Sequence, residues 1–207
     1  MRHTDGEQVA LMEREGMSRA ALIKGGVAAS GAVSAGLLLG GRVAPARSAP
    51  SQAQDQRVLG LILELERLED AFYSHALRIG RIGGELREYA EVVGSHEKAH
   101  VAFVTRALDS TPAAPRFDFK GVTGDPRRFA DAAVMIEDLV VAAYNGQATN
   151  LTRPTLEAAS RIASVESRHA AWIRDLVGKP PSPSATDDAR SEADVRAALA
   201  RTGFIVR

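Results

Sequence analysis

Residues 96–103 read HEKAHVAF and residues 165–172 read VESRHAAW, so a Glu-x-x-His motif occurs twice, each time with an aromatic residue three positions after the histidine. A second pair of stretches, LERLEDAFY at residues 65–73 and EDLVVAAY at residues 137–144, places a tyrosine seven positions after a glutamate. That glutamate precedes the motif glutamate by 31 residues in the first half and by 29 in the second. The chain therefore contains an internal repeat of two similar halves.

All four stretches are predicted to be helical. Apolar residues recur along each of them at steps of three and four, which is the spacing of an amphipathic helix. The predicted helices begin at Val58 and then cover residues 85–108, 129–148 and 153–177, and a short, charged and peripheral helix is expected at residues 189–200. Three glycines between residues 79 and 84 predict a turn, and Pro154 suits the first turn of the fourth helix.

The connection between the second and third helices is long and carries several prolines and glycines. About 20 extended residues reach roughly 60 Å, whereas a helix of about 25 residues is roughly 37 Å long. The chain can therefore return along the full length of a bundle at this point. We predict an all-α protein, a four-helix bundle with up-down-down-up topology, a long crossover between helices two and three, and a short C-terminal helix.

Residues 1–46 are predicted to be an export signal. A basic stretch at residues 18–24 precedes an uncharged run at residues 25–41, and Ala44-Pro45-Ala46 fits an A-x-A-like cleavage site. The basic stretch resembles a twin-arginine signal, but Ala20 stands where the second arginine belongs. We expect a mature chain that begins near Arg47 in the periplasm, in the cell envelope or outside the cell. An uncleaved membrane anchor and a small-residue core helix are the alternatives.

The rest of the chain divides into a polar linker at residues 47–57, the bundle at residues 58–178 and a tail at residues 179–207. Lysine and arginine number 26, as do aspartate and glutamate, so the charge favours neither nucleic acid nor an anionic membrane. Contact with a membrane is expected only through an uncleaved signal. The sequence has no cysteine, which excludes disulfides, thiol catalysis, iron–sulfur clusters and cysteine-bound zinc.

The glutamates and histidines of the repeat are predicted to form a metal site. Residues three or seven positions apart share one face of a helix, so each Glu-x-x-His motif directs a carboxylate and an imidazole to the same side. Four carboxylates buried without a cation would be costly, whereas two divalent ions balance their charge. Iron and manganese accept the same donors. The predicted ligands are Glu66, Glu97, His100, Glu137, Glu166 and His169.

Other side chains are expected near these ligands. Tyr73 and Tyr144 follow Glu66 and Glu137 by two helical turns, so each can donate a hydrogen bond to a ligand carboxylate across the bundle. Glu69 shares a face with Glu66, and because its counterpart in the second half is Val140, it is a candidate fifth carboxylate of one metal. The alternative for Glu69 is a boundary glutamate paired with an arginine. Two other histidines, His75 and His96, are expected at the periphery or beside the ligands.

From about residue 59 to residue 177 the sequence resembles a ferritin-like domain, and specifically the exported bacterial ferritin-like proteins related to plant desiccation-related proteins. The stretches that carry this resemblance are LERLEDAFY at residues 65–73, HEKAH at residues 96–100, FDF at residues 117–119 and VESRHAAW at residues 165–172. The resemblance implies the bundle fold and a metal site, and most members of the family have no assigned activity.

Two functions stay open at this point. The first is an exported di-metal oxidoreductase, similar to a ferroxidase or a catalase, which oxidises ferrous iron or consumes peroxide, with metal ions, dioxygen and peroxide as its partners. Because the chain lacks cysteine, it has no built-in rubredoxin-like electron donor. The second is a non-catalytic envelope protein for stress or desiccation that uses the bundle only for metal binding or structure. An oligomer is compatible with either function.

Overall fold

The computed structural model describes residues 49–206, and this part of the chain is an all-α bundle with two very short strands. The helices are α1 (Gln52–Ile79), α2 (Gly84–Ala107), α3 (Pro126–Gln147), α4 (Arg153–Leu176) and α5 (Glu192–Thr202). The strands are β1 (Arg116–Phe117) and β2 (Ile205–Val206), and short 3₁₀ turns occupy Val122–Gly124 and Ala148–Asn150. The predicted fold class is confirmed.

Side-chain contacts define the directions of the four long helices. Tyr144 near the end of α3 contacts Glu66 of α1, whereas Tyr73 further along α1 contacts Glu137 earlier in α3, so these two helices are antiparallel. The Gln56 amide near the start of α1 donates to the carbonyl of Ala107 at the end of α2 (3.2 Å), so α1 and α2 are also antiparallel. His96 of α2 contacts His169 of α4, and His100 further along α2 contacts Glu166 earlier in α4, so these two helices are antiparallel as well. The four helices therefore run up, down, down and up, as predicted.

Helix α1 begins within the segment predicted to be a linker. The Ser51 hydroxyl caps the helix by accepting a hydrogen bond from the backbone N–H of Gln54 (3.2 Å). One turn later, the buried Asp55 carboxylate accepts hydrogen bonds from the hydroxyls of Thr152 (2.5 Å) and Thr155 (2.6 Å) at the start of α4. Burial opposes ionisation, but these hydrogen bonds outweigh it and lower the pKa of Asp55. The linker prediction is therefore wrong from Gln52 onward, because the anchor of this turn lies far away in the sequence.

The long crossover is held against the bundle at several points. Its Phe119 is buried and packs edge-to-face against Phe72 of α1, with 5.4 Å between the ring centroids, and against Phe204 at the same distance. Strand β1 pairs antiparallel with β2, with Arg116–Phe117 opposite Ile205–Val206. The crossover therefore runs along the bundle as expected, and the end of the described chain fixes it there.

The C-terminal helix is more deeply packed than predicted. The sequence indicates a peripheral helix at residues 189–200, but α5 covers Glu192–Thr202 and its Val195 and Leu199 are buried in the main core. On its outer side, the Arg196 guanidinium donates to the Glu64 carboxylate of α1 (2.9 Å). Most of α5 is exposed, as expected of a peripheral helix, but Val195 and Leu199, which lie one turn apart, give it a buried face that the sequence did not predict.

The segment that precedes α5 lies directly on α3 where α3 carries a glycine. The Arg190 amide donates to the Ala142 carbonyl (2.9 Å), and the Asn145 side chain donates to the Asp188 carbonyl (3.3 Å). A Cβ atom on Gly146 would lie 1.8 Å from the Arg190 carbonyl oxygen, so only glycine permits this approach.

Replacing this glycine tests the packing of the tail. We expect Gly146→Ala to lower the free energy of unfolding by about 1–3 kcal/mol, because the new methyl group displaces the Arg190 backbone. The matched control is Gly60→Ala in α1, where a Cβ meets nothing within 4 Å; it should raise the free energy of unfolding by about 0.5–1 kcal/mol. Urea denaturation measures both changes. Equal stabilisation by the two substitutions would contradict the contact between the tail and α3.

The predicted export signal at residues 1–46 and the expected start of the mature chain at Arg47 lie outside the described residues. Among the described helices, none combines the length and the apolar character that crossing a membrane requires.

Candidate metal centre

The four long helices each place one of the predicted glutamates in the centre of the bundle. Glu66 of α1, Glu97 of α2, Glu137 of α3 and Glu166 of α4 all have 0% of their surface exposed. The periodicity of each helix explains this position, since every one of these glutamates lies on the apolar stripe that faces the core. Both motif histidines join them, with His169 buried and the His100 side chain 11% exposed. The six residues predicted as ligands therefore lie in one cluster.

The two histidines have matching surroundings. The His100 Nδ1 atom lies 2.8 Å from Glu166 Oε1, 3.1 Å from Glu97 Oε2 and 3.3 Å from Glu66 Oε2. The His169 Nδ1 atom lies 3.0 Å from Glu97 Oε1, 3.3 Å from Glu166 Oε2 and 3.8 Å from Glu137 Oε2. Glu97 and Glu166 therefore turn one oxygen toward each histidine, whereas Glu66 and Glu137 each face only one.

Donor atoms in this cluster form two groups small enough to hold a cation. The first group consists of four donor atoms that lie within 4.8 Å of one another, one each from Glu66, Glu97, His100 and Glu166. In the second group, Glu137, Glu166 and His169 meet the same limit. Because Glu166 belongs to both, the groups are neighbours, and the Glu97 oxygen near His169 borders the second one as well.

Glu66 and Glu137, which face one histidine each, accept hydrogen bonds from tyrosine hydroxyls. Tyr144 donates to Glu66 Oε1 (2.5 Å), and Tyr73 donates to Glu137 Oε1, each reaching the glutamate of the opposite hairpin. Tyr89 is not among the residues predicted for the site, yet its hydroxyl also donates to Glu137 Oε1 (3.1 Å). Tyr89 lies on the apolar stripe of α2, so its spacing in the sequence gives no separate signal of this contact.

Glu69 lies in the same cluster without a hydrogen-bond partner. It is 0% exposed, and neither of its carboxylate oxygens has a partner among the described residues. Burial, reinforced by the charges of Glu97 and Glu137, raises its pKa well above the usual value. It is therefore a fifth buried carboxyl group, and the alternative of a boundary glutamate paired with an arginine is wrong.

Protons and charges in the cluster are strongly redistributed. Burial raises the pKa of Glu66 to about 8 and that of Glu137 well above its usual range. Burial also disfavours charged imidazoles, but hydrogen bonds to the glutamates outweigh it and raise the pKa of His100 to about 12 and that of His169 to about 10. Burial likewise opposes ionisation of Glu97, yet hydrogen bonds from the two histidines lower its pKa to about 2. The carboxylates thus attract positive charge into the core.

The donor set fits divalent metal ions. Buried carboxylate oxygens without hydrogen bonds are costly, and both oxygens of Glu69 and Oε2 of Glu137 have none among the described residues. Oxygen and imidazole nitrogen donors suit iron and manganese. A cation in each group would satisfy the free oxygens and would take the place of the protons on the histidines.

The two remaining predicted histidines have different positions. The His96 Nδ1 atom lies 2.9 Å from His169 Nε2, and their rings are stacked, so His96 contacts a motif histidine and none of the cluster carboxylates. The His75 Nδ1 atom lies 2.7 Å from the Thr123 hydroxyl, outside the cluster. His96 is thus a neighbour of the site, and His75 of α1 contacts the crossover at Thr123.

A depression between α2 and α4 connects the cluster to the surface. Its walls include His96, His100, Arg168, His169 and Trp172. The histidines form the outer layer of the cluster, because their side chains are 11% and 4% exposed while the glutamates behind them are fully buried. A small molecule that reaches the cluster on this side therefore meets the imidazoles first.

Comparison with known proteins gives one family. The family model described as "Ferritin-like domain" matches residues 54–179, a range that covers nearly all of α1 and the whole of α2, α3 and α4. No curated protein matches the chain.

Proposed function

The chain belongs to the ferritin-like domain family, and from this premise we propose that it is an exported di-metal oxidoreductase that oxidises ferrous iron or consumes peroxide. The observation that carries the proposal is the position of Glu97 and Glu166, each of which turns one carboxylate oxygen toward each of the two histidines. This is the arrangement expected of carboxylates shared by two neighbouring cations.

Each half of the repeat would hold one ion. Glu66 and His100 would bind the first and Glu137 and His169 the second, while Glu97 and Glu166 would be shared. The tyrosine hydroxyls orient Glu66 and Glu137, because each leaves Oε2 of its partner free to face the histidine. Bound iron or manganese would supply the redox chemistry toward dioxygen or peroxide.

The protein contributes a site from which bulk water is excluded and which holds protons. Apolar residues such as Leu65, Leu68 and Ile136 are buried around the carboxylates, so charges in the cluster interact strongly. Burial raises the pKa of the unpartnered Glu69 carboxyl group well above the usual value, which favours its protonated form. This carboxyl group lies within the cluster, where reduction of oxygen or peroxide would consume protons.

The activity is tested with purified full-length protein. Elemental analysis should give two ions of iron or manganese per chain, and ferrous iron added to the protein should cause oxygen uptake or faster loss of added peroxide. Protein stripped with a chelator is the control, and reloading should restore the activity. Absence of bound metal would refute the metal centre, whereas metal without oxygen uptake or peroxide loss would refute the activity and favour the non-catalytic stress protein.

Export is tested separately. The proposal rests on the basic stretch at residues 18–24, the uncharged run at residues 25–41 and the A-x-A-like site that ends at Ala46. N-terminal sequencing of protein from the cell envelope and the medium should find a chain that begins near Arg47. A full-length chain confined to the cytoplasm would refute export and leave the proposed chemistry untouched.

A further inference from the structure

The two halves of the repeat differ in the aromatic residues beside the cluster. Glu97 and Glu166 are 69 positions apart, and the same offset relates Tyr89 to Ala158 and Trp172 to Phe103. Tyr89 of the first half and Trp172 of the second half can be oxidised by one-electron oxidants, whereas the residues equivalent to them, Ala158 and Phe103, are not readily oxidised.

Tyr89 and Trp172 form a continuous path from the cluster to the surface. The ring centroids of Trp172 and Tyr89 are 5.2 Å apart in an edge-to-face contact, and the Tyr89 hydroxyl donates to Glu137 Oε1 (3.1 Å). Tyr89 is fully buried, whereas Trp172 is partly buried and lines the depression between α2 and α4. The path therefore begins at a carboxylate of the cluster and ends where solvent molecules have access.

We propose that Tyr89 and Trp172 are an electron relay through which a small soluble one-electron reductant, bound transiently in the depression, delivers single electrons to the carboxylate cluster. This inference rests on the proposed function, and specifically on reduction of peroxide or dioxygen by an outside donor, which requires delivery of electrons. The chain has no cysteine, so thiols and iron–sulfur clusters are not available as internal donors.

The transfer balances in electrons and protons. Tyr89 gives one electron toward the oxidant of the proposed function, dioxygen or peroxide, and its hydroxyl proton passes to Glu137 Oε1 along their hydrogen bond, which leaves a neutral phenoxyl radical. That radical takes one electron from Trp172 and recovers the same proton from Glu137, so Glu137 undergoes no net change. Trp172 loses its indole proton to solvent and becomes a neutral radical. The reductant then gives Trp172 one electron and one proton, and is itself oxidised by one electron. Run in the opposite direction, the same contact lets an oxidised Trp172 take an electron from Tyr89.

The relay is tested by measuring electron transfer from Tyr89 to an oxidised Trp172, which is the reverse of the proposed direction. Azide radicals produced by pulse radiolysis should oxidise Trp172, the single tryptophan of the chain and the partly exposed ring of the path. In the full-length protein, the absorbance of the tryptophan radical should decay as that of a phenoxyl radical grows, at a rate independent of protein concentration. The measurement is made on the protein as purified and again after metal removal.

Tyrosine variants then identify the partner of Trp172. Tyr89→Phe keeps the ring and removes the hydroxyl, so the phenoxyl signal should be lost and the tryptophan radical should persist. Tyr144→Phe is the matched control, because this hydroxyl binds Glu66 and not Glu137, and it should leave the transfer unchanged. The double variant Tyr73→Phe/Tyr144→Phe leaves Tyr89 as the only tyrosine and should retain the transfer.

Three results would overturn the relay: no phenoxyl growth in the wild type, unchanged growth in Tyr89→Phe, or loss of growth in the double variant. The last test does not depend on whether Tyr89→Phe folds. Because the transfer is measured without added iron or peroxide, its failure is distinct from failure of the proposed activity. A working relay in a protein that oxidises no ferrous iron would refute only the activity.

Discussion

The metal-free protein should lose stability as the pH rises from about 5 to about 8, and divalent metal should reverse that loss. Burial raises the pKa of Glu66 from 4.5 to about 8, so its contribution to stability is complete below 4.5 and is lost as the pH rises to 8. The raised pKa values of His169 and His100 act in the same direction from pH 6.5 upward. Glu97, whose pKa is lowered to about 2, costs stability only below pH 4.5.

Calorimetry with and without Mn²⁺ at several pH values measures this effect. An ion at about a thousand times its dissociation constant stabilises the folded state by about 4 kcal/mol. The gain should be larger at pH 8 than at pH 5, because protons compete with the metal for the carboxylates and imidazoles at lower pH. Glu66→Gln should flatten the pH dependence of the metal-free protein, whereas Glu88→Ala, at an exposed position of α2, should leave it unchanged. A melting temperature that ignores both pH and metal would contradict the assigned cluster.

Glu97→Ala should remove more metal than either histidine substitution. The two oxygens of Glu97 lie 3.0 Å from His169 Nδ1 and 3.1 Å from His100 Nδ1, so its loss disturbs both groups of donors. His169→Ala takes a donor from one group only and should lower the metal content from two ions per chain towards one. Elemental analysis gives the content of each variant, and an anomalous-scattering map locates the remaining ions.

The control for this series is Glu88→Ala, which makes the same chemical change on the same helix but on the exposed side. It should bind as much metal as the wild type. Circular dichroism confirms that each variant is folded before its metal content is compared. Two fully occupied ions in Glu97→Ala, or a single ion in the wild type under saturating metal, would contradict the shared role of Glu97.

The core-facing glutamates at the centre of the bundle could be predicted from the sequence, whereas the helix ends and the packing of the tail could not. Helical periodicity alone places Glu66 and Glu97 on core-facing stripes, and a repeat of the same pattern brings Glu137 and Glu166 to the opposite side. Tyr89 could not be assigned in the same way, because its role depends on a hydroxyl that reaches another helix, and helical spacing does not encode such distances.

Long-range contacts explain the other differences. Helix α1 extends back to Gln52 because Asp55 binds two threonines about a hundred positions away. Likewise α5 packs one face into the core, since the face that carries Val195 and Leu199 meets a surface built by the earlier helices. Local patterns predict elements, whereas the ends of elements and the depth of their packing depend on partners that are remote in sequence.

The pairing of β1 with β2 also has a consequence for the order of folding. Each helical hairpin forms through contacts between neighbouring segments, which close cheaply, but Arg116 meets Val206 only after the chain has passed through α3, α4 and α5. We therefore expect the two hairpins to dock early and the crossover to close last. Until the crossover closes, Phe119 lacks its contact with Phe204. We therefore expect Phe119 and the side of Phe72 that it covers to be exposed until the last step of folding, whereas both are buried in the folded protein.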